Sequence, residues 1–412
     1  MEKPQNYPNE PAHLWNHFFD FTQVPRPSKE EVQIRNHVKS LAEKYGHSFK
    51  EDEEGNIVIY VPASKGYEHK GPVIIQNHLD MVTDSTPDRK INFSKDPIVT
   101  YVEGDWLKAD RTTLGADNGI GCAAALALMT DESVKHPPLE LLFTTDEETG
   151  LNGAWAVKSE FFKGKKMLNL DTEEWGSLYI GCAGGIDKQL NKKIELVEAS
   201  KDLSAFKITL GGLRGGHSGV DIHMQLANAI KKLNEYLLEI GSLDYEIAEF
   251  RGGRAHNIIP RDAYVIIKTK ENNQAQLQQI ALDLTQQWKK YQSKEDSQVF
   301  IEIQKIENNN KVLSGKDKND FLSFISLFPH GVHTYLLHTE DRLVALSNNL
   351  AQVIVMNGHI YAMASIRFFD REQARMFEKT FDRLAHQFGF DMTSEGEYPS
   401  WTLATKNELL DF

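Results

Sequence analysis

Apolar and polar residues alternate along the first 180 residues in a pattern that predicts strands interleaved with helices. The apolar runs that have the length of buried strands are 56–61, 73–76, 139–144 and 167–170. The segments with helical patterns are 28–45, 116–130 and 153–162. Ser28 and Glu31 read as a capping box that opens the first of these helices, with Gly46 as its end. This alternation predicts an α/β domain with a mostly parallel sheet.

The pattern changes near Gly184-Gly185, where short alternating strands and long helices begin. The predicted elements are strands at 206–210, 264–269 and 361–368, helices at 221–240 and 273–291, and a polar surface loop at 308–318. Such a mixture predicts a second domain of the α+β class, inserted into the first. We therefore predict a first domain formed by 1–185 and 386–412, and an inserted domain formed by 186–385.

Composition limits the class of protein. With 412 residues, of which 40% are hydrophobic and 25% charged, the chain is expected to be a globular protein of two domains. A net charge of −13 argues against nucleic acid or an anionic membrane as a partner. We see neither a signal peptide nor an apolar stretch of membrane-spanning length, so we expect a cytoplasmic protein. Cys122 and Cys182 cannot form a disulfide framework, and Cys122 is expected to be a buried packing residue.

Four short motifs carry most of the candidate chemistry, and three of them stand at the ends of predicted strands. They are Asn77-His78-Leu79-Asp80, Gly115-Ala116-Asp117-Asn118-Gly119, Thr145-Asp146-Glu147-Glu148-Thr149-Gly150 and Leu168-Asn169-Leu170-Asp171. Open α/β sheets bind ligands beyond the carboxyl ends of their strands, where residues distant in sequence can meet. Crowded carboxylates raise one another's pKa unless cations neutralise them. The motifs therefore predict a hydrolase centre with two metal ions.

Each motif also has an ordinary interpretation when it stands alone. His78 and Asp80 would be a surface pair, Asp117 a helix N-cap, and 146–148 a solvated acidic turn. Asp171 would simply end a strand. Together, however, they supply hard and borderline metal ligands at successive strand ends, which favours a metal site.

The side chains of these motifs can be given separate roles. Asp80, two residues after His78 in an extended segment, would orient the imidazole. Adjacent carboxylates of an acidic turn can diverge, so we assign Glu148 to the metal and Glu147 to general base catalysis.

Weaker signals lie in the second domain. His217 is flanked by glycines in Gly215-Gly216-His217-Ser218-Gly219, which suits either a ligand-binding loop or an ordinary turn. Asn257 and Arg367 are weak signals by themselves, although an arginine can pair with a substrate carboxylate.

The motifs resemble those of the cytosolic Xaa-His (aminoacyl-histidine) dipeptidases, bacterial nonspecific dipeptidases of the carnosinase and aminoacylase superfamily. The resemblance runs from Leu14-Trp15 to about Trp401. The stretches that carry it are His78-Leu79-Asp80-Met81-Val82, Thr112–Gly121, Gly181–Asp187, Gly215–Gly219 and Tyr398-Pro399-Ser400-Trp401. The resemblance implies a zinc-peptidase catalytic domain with an inserted lid domain.

The resemblance also implies roles for individual residues. His78 and Asp171 would hold one Zn²⁺ and Glu148 the other, with Asp117 bridging the two ions. Asp80 would support His78, and Glu147 would be the base.

In the lid domain, the resemblance makes His217 the histidine that stabilises the developing oxyanion in dimeric relatives. Asn257 and Arg367 would hold the C-terminus of the substrate. Mn²⁺ or Co²⁺ are alternative ions, and a homodimer through the lid domain is allowed.

The printed sequence departs from the family pattern after Tyr398-Pro399-Ser400-Trp401. Relatives continue there with several tens of residues that carry a glycine-containing loop and a last metal-ligand histidine, which leaves the second ion with Glu148 and Asp117. The predicted function is metal-dependent hydrolysis of dipeptides, Xaa-His and broader, by metal-activated water. The alternatives are a truncated, inactive homologue that keeps only binding or dimerisation, and an aminoacylase or deacetylase.

Overall fold

The computed structural model describes residues 1–172, 174–308, 310–337, 342–401, 403 and 409. The chain divides into two compact units. The first unit begins at Met1 and runs to Tyr179. The second unit begins at Ile180 and includes the described residues to Leu403.

The first unit alternates strands and helices, as the sequence pattern predicts. Its helices are α1 (Ala12–Gln23), α2 (Val32–Lys44), α3 (Ala116–Thr130) and α4 (Asn152–Ala156). Its strands are β1 (Ser48–Glu51), β2 (Ile57–Val61), β3 (Val73–His78), β4 (Thr100–Glu103), β5 (Trp106–Ala109), β6 (Leu139–Thr144) and β7 (Lys166–Asn169). The predicted helix at 153–162 is wrong, because only the short α4 and a single 3₁₀ turn, Ser159–Phe161, form there.

The main sheet of the first unit has the strand order β1-β2-β6-β3-β7. β3 runs parallel to β6 and β7, whereas β2 runs antiparallel to β1 and β6. The prediction of a mostly parallel sheet is therefore corrected to a mixed sheet. The turn between β1 and β2 covers only 52–56, and Gly55 in it has a φ of 89°. A link this short can join antiparallel neighbours only, since a parallel pair needs a long crossover.

Helices α1, α2 and α3 supply apolar side chains to one face of this sheet. Ile57 and Ile59 of β2 join that core, while Val58 between them packs on the opposite face with Phe161 and Phe162. All six residues of β6 are buried, as expected for a central strand covered on both faces. Cys122 of α3 is fully buried in this core, where we expected a packing residue.

The predicted capping box at Ser28–Glu31 is wrong, although the helix itself forms. α2 begins at Val32 without a side-chain cap and ends at Lys44. Ser28 instead donates a hydrogen bond to Asp80, 2.8 Å away, and Glu31 accepts hydrogen bonds from the backbone of Lys29 and Asp146. The same residue types serve local caps and long-range hydrogen bonds, so spacing alone did not distinguish the two.

The second unit is built on one large antiparallel sheet. Its helices are α5 (Ala229–Glu239), α6 (Gln274–Tyr291), α7 (Gly315–Leu327) and α8 (Arg371–Phe388). Its first strands are β8 (Gly184–Lys193), β9 (Leu196–Val197), β10 (Ser204–Gly211), β11 (Gly216–His217), β12 (Glu246–Gly252), β13 (Ile258–Ile259) and β14 (Ala263–Thr269). The remaining strands are β15 (Phe300–Ile306), β16 (Val312–Leu313), β17 (Gly331–Tyr335), β18 (Val344–Met356), β19 (His359–Phe368) and β20 (Asp391–Tyr398).

The large sheet has the order β15-β10-β14-β12-β18-β19-β8-β20, and β17 also pairs with β18. β20 lies against β8, which extends the second unit beyond the predicted boundary at residue 385. Side chains of α5 to α8 pack with one face of the sheet in a single large core. The predicted helix at 221–240 is shorter than expected, because Gln225 takes a positive φ and Asn228 caps α5. The predicted loop at 308–318 is also wrong in part, since it contains β16 and the start of α7.

Within the described part of the chain, no helix is both long and apolar enough to cross a bilayer.

The buried His17 of α1 predicts a loss of stability in acid. Its Nε2 lies 2.9 Å from Thr130 Oγ1, which itself donates to Leu126 O, so Nε2 carries the proton. Its Nδ1 is buried without a partner among the described residues, so a proton added there in acid would find no acceptor. Burial, followed by the charges of His37, His13 and Lys44, lowers the pKa of His17 to about 4.

A histidine whose pKa is lowered by folding stabilises the protein fully above its unfolded pKa near 6.5 and loses that contribution as pH falls towards 4. We expect the free energy of unfolding in urea to fall by about 2 kcal/mol less between pH 7 and pH 4 in His17→Gln than in the wild type. His69→Gln, at an exposed position, is the control. Equal pH dependence in wild type and His17→Gln would contradict the assignment.

Candidate metal centre

His78 stands at the carboxyl end of β3, between β6 and β7 in the first unit's sheet, and its side chain is fully buried. Its Nε2 lies 3.0 Å from Asp117 Oδ1, 3.5 Å from Asp171 Oδ1 and 3.9 Å from Glu147 Oε2. Three carboxylates from different parts of the chain therefore converge on one imidazole nitrogen.

Asp80 lies behind the imidazole, on the Nδ1 side. His78 Nδ1 is 3.3 Å from Asp80 Oδ1 and 3.1 Å from the backbone oxygen of Asp80. The Asp80 carboxylate also accepts hydrogen bonds from the backbone N–H groups of Glu147 and Glu148, at 3.0 and 3.1 Å. Burial opposes its charge, but His78 and these donors lower the pKa of Asp80 to about 2. Asp80 thus holds both the imidazole ring and the acidic turn in position.

The turn that carries Glu147 and Glu148 follows β6 and is held by a hydrogen bond to Glu31. The N–H of Asp146 donates to Glu31 Oε1 at 3.0 Å, while Asp146 itself has a φ of 46°. The Asp146 carboxylate accepts hydrogen bonds from Thr149 and Asn152. These bonds hold Asp146 in a backbone conformation that L-residues rarely adopt.

Asp117 stands at the distorted start of α3. Gly115 before it has a φ of 70°, and Asp117 itself has non-helical backbone angles. Buried Arg26 donates to the backbone oxygens of Leu79, Asp80 and Gly115, so it joins this loop to the end of β3. The α3 helix packs closely against the backbone just after β7, since a Cβ at Gly121 would lie 2.6 Å from the backbone oxygen of Leu170.

Asp171, two residues beyond β7, is positioned by Asn118. Asn118 Nδ2 donates to Asp171 Oδ1 at 2.7 Å and to the backbone oxygen of Leu170 at 2.8 Å. Asn118 was not singled out in the sequence, although it stands beside Asp117. Ser28, Glu31 and Arg26 were likewise missed as parts of the site, because their partners lie far away in the sequence.

Electrostatics at this centre favour a cation at the position of the His78 imidazole. Burial alone would lower its pKa, but Asp117, Asp171 and Asp80 together raise the pKa of His78 to about 12. Burial, Asp171 and Glu148 raise the pKa of Glu147 to about 7, against the opposing charge of His78. Burial and Asp117 raise the pKa of Glu148. Without another cation, the imidazole keeps its proton to balance the carboxylates.

The same groups fit a divalent metal ion. One ligand atom each from His78, Asp117 and Glu148 lie within 4.8 Å of one another. Ligands of one tetrahedral zinc ion, at about 2.0–2.2 Å from the ion, are separated by about 3.5 Å. His78 Nε2 lies 3.0 Å from Asp117 Oδ1 and 3.5 Å from Asp171 Oδ1, which is close to that spacing. Imidazole nitrogen and carboxylate oxygen are both common zinc ligands.

A second acidic group, formed by Glu31, Asp80 and Asp146, meets the same distance limit. Its carboxylates, however, accept the hydrogen bonds described above. These residues therefore support the centre.

The remaining predicted site residues lie in the second unit. His217 and Asn257 line the same cavity of about 480 Å³, with Arg214, Arg254 and Arg261 among their neighbours. β11 and β13 pair there, and Ser218 N donates to the backbone oxygen of Asn257 at 2.7 Å. Arg367 is on β19, and its guanidinium carbon lies 5.4 Å from the centre of the Tyr398 ring.

Comparisons with known proteins decide the family. Residues 208–296 match the family model described as a peptidase dimerisation domain. The chain is 34% identical over 395 residues to the cytosol non-specific dipeptidase of Escherichia coli K12, covering 95% of this chain and 81% of that protein. The chain belongs to the family of the cytosol non-specific dipeptidases. The predicted resemblance is confirmed.

Solved structures agree with this dipeptidase family. The crystal structure of aminoacylhistidine dipeptidase from Vibrio alginolyticus matches with a TM-score of 0.85 and 33% identity, over 97% of this chain and 82% of that chain. Aminopeptidase PepT from Bacillus cereus matches with a TM-score of 0.50 and 16% identity, over 97% and 79% of the chains, which indicates a similar fold. Among the predicted functions, these relatives support the peptide hydrolase over the inactive remnant.

The hydrogen bonds of Asn118 generate a prediction about metal affinity. Asn118→Ala leaves Asp171 without its donor, and loss of such supporting bonds typically costs tenfold to hundredfold in metal affinity. We therefore expect zinc affinity, measured by competition with a chromophoric chelator, to fall at least about tenfold.

Asn92→Ala, at an exposed position in the same unit, is the matched control and should bind zinc as the wild type does. Unchanged zinc affinity in Asn118→Ala would show that Asp171 does not depend on this bond.

Proposed function

We propose that this protein is a zinc-dependent dipeptidase that cleaves short peptides with a free C-terminus. The observation that carries the proposal is the convergence of Asp117, Asp171 and Glu147 on the Nε2 atom of His78. Family membership supports the same reaction class, since the E. coli relative is named as a dipeptidase. We propose cytoplasmic localisation on the same ground.

The residues that would hold two zinc ions are His78 and Asp171 for one, Glu148 for the other, and Asp117 between them. Zinc, when bound, lowers the pKa of water and polarises the peptide carbonyl. The Asp80 carboxylate lies at Nδ1 of His78 and so favours the tautomer in which Nε2 would be free to hold an ion.

Glu147 is the general base in this proposal. Its carboxylate lies at the edge of the ligand cluster, 3.9 Å from His78 Nε2, and its backbone is held by Asp80. It takes a proton from the attacking water and gives a proton to the amine that leaves. Its side chain is 26% exposed, so water can reach it.

The second unit would supply the substrate contacts. Gly219 N donates to His217 Nδ1 at 3.2 Å, which leaves Nε2–H as a donor for a developing oxyanion. Burial and the charge of Arg367 lower the pKa of His217, so the neutral ring is favoured. Asn257 and Arg367 would bind the C-terminal carboxylate of the peptide.

We also propose a homodimer through the second unit. The match of residues 208–296 to a peptidase dimerisation domain supports this assembly. That stretch includes His217 and Asn257, so an interface there would lie next to proposed substrate contacts.

A substrate panel with matched variants tests the function. We expect the zinc-loaded chain to release amino acids from alanyl-histidine and alanyl-alanine, and to leave N-acetylalanine and N-acetylhistidine intact. Glu147→Gln should lower kcat by at least about a thousandfold, because the base is removed, while zinc content by mass spectrometry stays at the wild-type level.

Glu160→Gln, at an exposed position on a 3₁₀ turn of the same unit, is the control and should keep full activity. Turnover in Glu147→Gln would remove that residue from the base role. Cleavage of N-acyl amino acids in preference to dipeptides would instead favour an aminoacylase. If Mn²⁺ or Co²⁺ restores activity to the metal-free chain and Zn²⁺ does not, that ion takes the place of zinc in the proposal.

A further inference from the structure

A row of buried polar side chains crosses three neighbouring strands in the middle of the second unit's large sheet. Asn349 of β18, Ser365 of β19 and Asp187 of β8 are register partners in that order. They are 1%, 1% and 8% exposed, respectively. Burying polar groups without partners costs free energy, so packing alone does not explain this row.

The row lies on the sheet face opposite the helices. Apolar neighbours on the same strands, such as Leu350, Ile366 and Ile186, point into the core that α5 to α8 cover. Side chains alternate between the two faces of a strand, so the polar row points the other way.

Each member of the row has an oxygen without a hydrogen-bond partner among the described residues. These atoms are Asn349 Oδ1, Ser365 Oγ and Asp187 Oδ1. Buried polar atoms in folded proteins are nearly always paired, and unpaired ones often mark water or a ligand. Asn349 Oδ1 and Asp187 Oδ1 can only accept hydrogen bonds, so water or another donor completes the row, and an anion would have to bind above it.

Asp187 also fixes a histidine above the sheet. Its Oδ2 lies 2.7 Å from His256 Nδ1, so the carboxylate accepts a hydrogen bond from Nδ1–H and sets the orientation of the ring. The His256 side chain is 49% exposed. Asp187 contacts Nδ1, so Nε2 is the ring nitrogen that can contact a ligand. Asn349 holds the loop from the other side, donating to the backbone oxygens of His256 and Ile258 at 3.3 and 2.8 Å.

Arg367 stands two residues beyond Ser365 on the same strand and therefore on the same face. Its guanidinium stacks near the Tyr398 ring and lies over Gly185, where a Cβ would be 2.1 Å from Nη1. Arg367 pairs in register with Gly185, and Ser365 with Asp187, so His256, which is bound to Asp187, lies on the same face of the sheet as Arg367.

We propose that His256, positioned by Asp187, binds the C-terminal carboxylate of the peptide together with Arg367. This inference rests on the proposed function, because the ligand is the peptide substrate. Nδ1–H donates to Asp187, and when Nε2 also carries a proton it donates to the substrate carboxylate, so that the ring bridges two anions. Asp187 touches no substrate and acts through His256, which makes it a positioning residue.

Binding to the metal-free chain tests this proposal without relying on catalysis. We expect nuclear magnetic resonance titrations to give a Kd for alanyl-alanine at least about tenfold lower than for alanyl-alaninamide. His256→Gln should weaken alanyl-alanine binding about tenfold, equivalent to about 1.4 kcal/mol, and leave amide binding unchanged. Asp187→Asn should also raise the Kd for alanyl-alanine.

His359→Gln, an exposed histidine at the opposite end of β19, is the matched control and should bind both peptides as the wild type does. Unchanged alanyl-alanine affinity in both variants, equal losses for peptide and amide, or no measurable dipeptide binding by the wild type would overturn the inference. If His256→Gln does not fold, as shown by its thermal midpoint, Asp187→Asn decides the question.

Kinetics of the zinc-loaded chain separate this inference from the proposed function. We expect His256→Gln and Asp187→Asn to raise KM for alanyl-alanine and to leave kcat near the wild-type value, because they remove binding common to ground and transition states. A wild-type chain that cleaves no peptide refutes the proposed function. A wild-type chain that cleaves dipeptides with variants of unchanged KM refutes only the inference.

Discussion

Five carboxylates gathered around one buried imidazole are the constraint on which the rest of the first unit depends. Like charges at such distances raise one another's pKa and oppose folding unless a cation stands among them. The His78 ring, with its pKa raised to about 12, supplies one positive charge in the metal-free chain. Divalent ions at the same place would neutralise the cluster and would make its crowding favourable.

Much of the surrounding structure keeps these carboxylates from separating. Asp80 accepts two backbone N–H groups of the acidic turn, Glu31 accepts a third, and Asn118 holds Asp171. Buried Arg26 joins the loop before α3 to the end of β3 through backbone oxygens. Rigid support of this kind is what a metal centre needs, because ligands must be held in place before the ion arrives.

The sequence pattern grouped acidic side chains that the structure brings close to His78, but it did not reveal the residues that hold them in place. His78, Glu148 and Asp171 could be grouped because β3, β6 and β7 are parallel neighbours whose carboxyl ends share one edge. Ser28 and Glu31 could not, since their spacing fits a local helix cap equally well. The mixed sheet and the position of β20 beside β8 depend on pairing between distant strands, which periodicity does not encode.

In the second unit, too, the sequence pattern predicted apolar strands but not the polar pairs between distant residues. Alternation along β10, β14 and β19, which the sequence pattern predicted, supplies part of its core. Asp187 and His256 are 69 residues apart in the sequence, and only the strand register and the loop above it bring them together. Long-range polar pairs of this type are therefore accessible from coordinates and not from spacing.

The most direct test of the central claim is anomalous X-ray scattering at the zinc edge from crystals grown with zinc. The account predicts two peaks within coordinating distance, about 2.0–2.2 Å, of ligand atoms in the set His78, Asp117, Glu148 and Asp171. The absence of any peak at His78 Nε2, with zinc bound elsewhere or not at all, would contradict it.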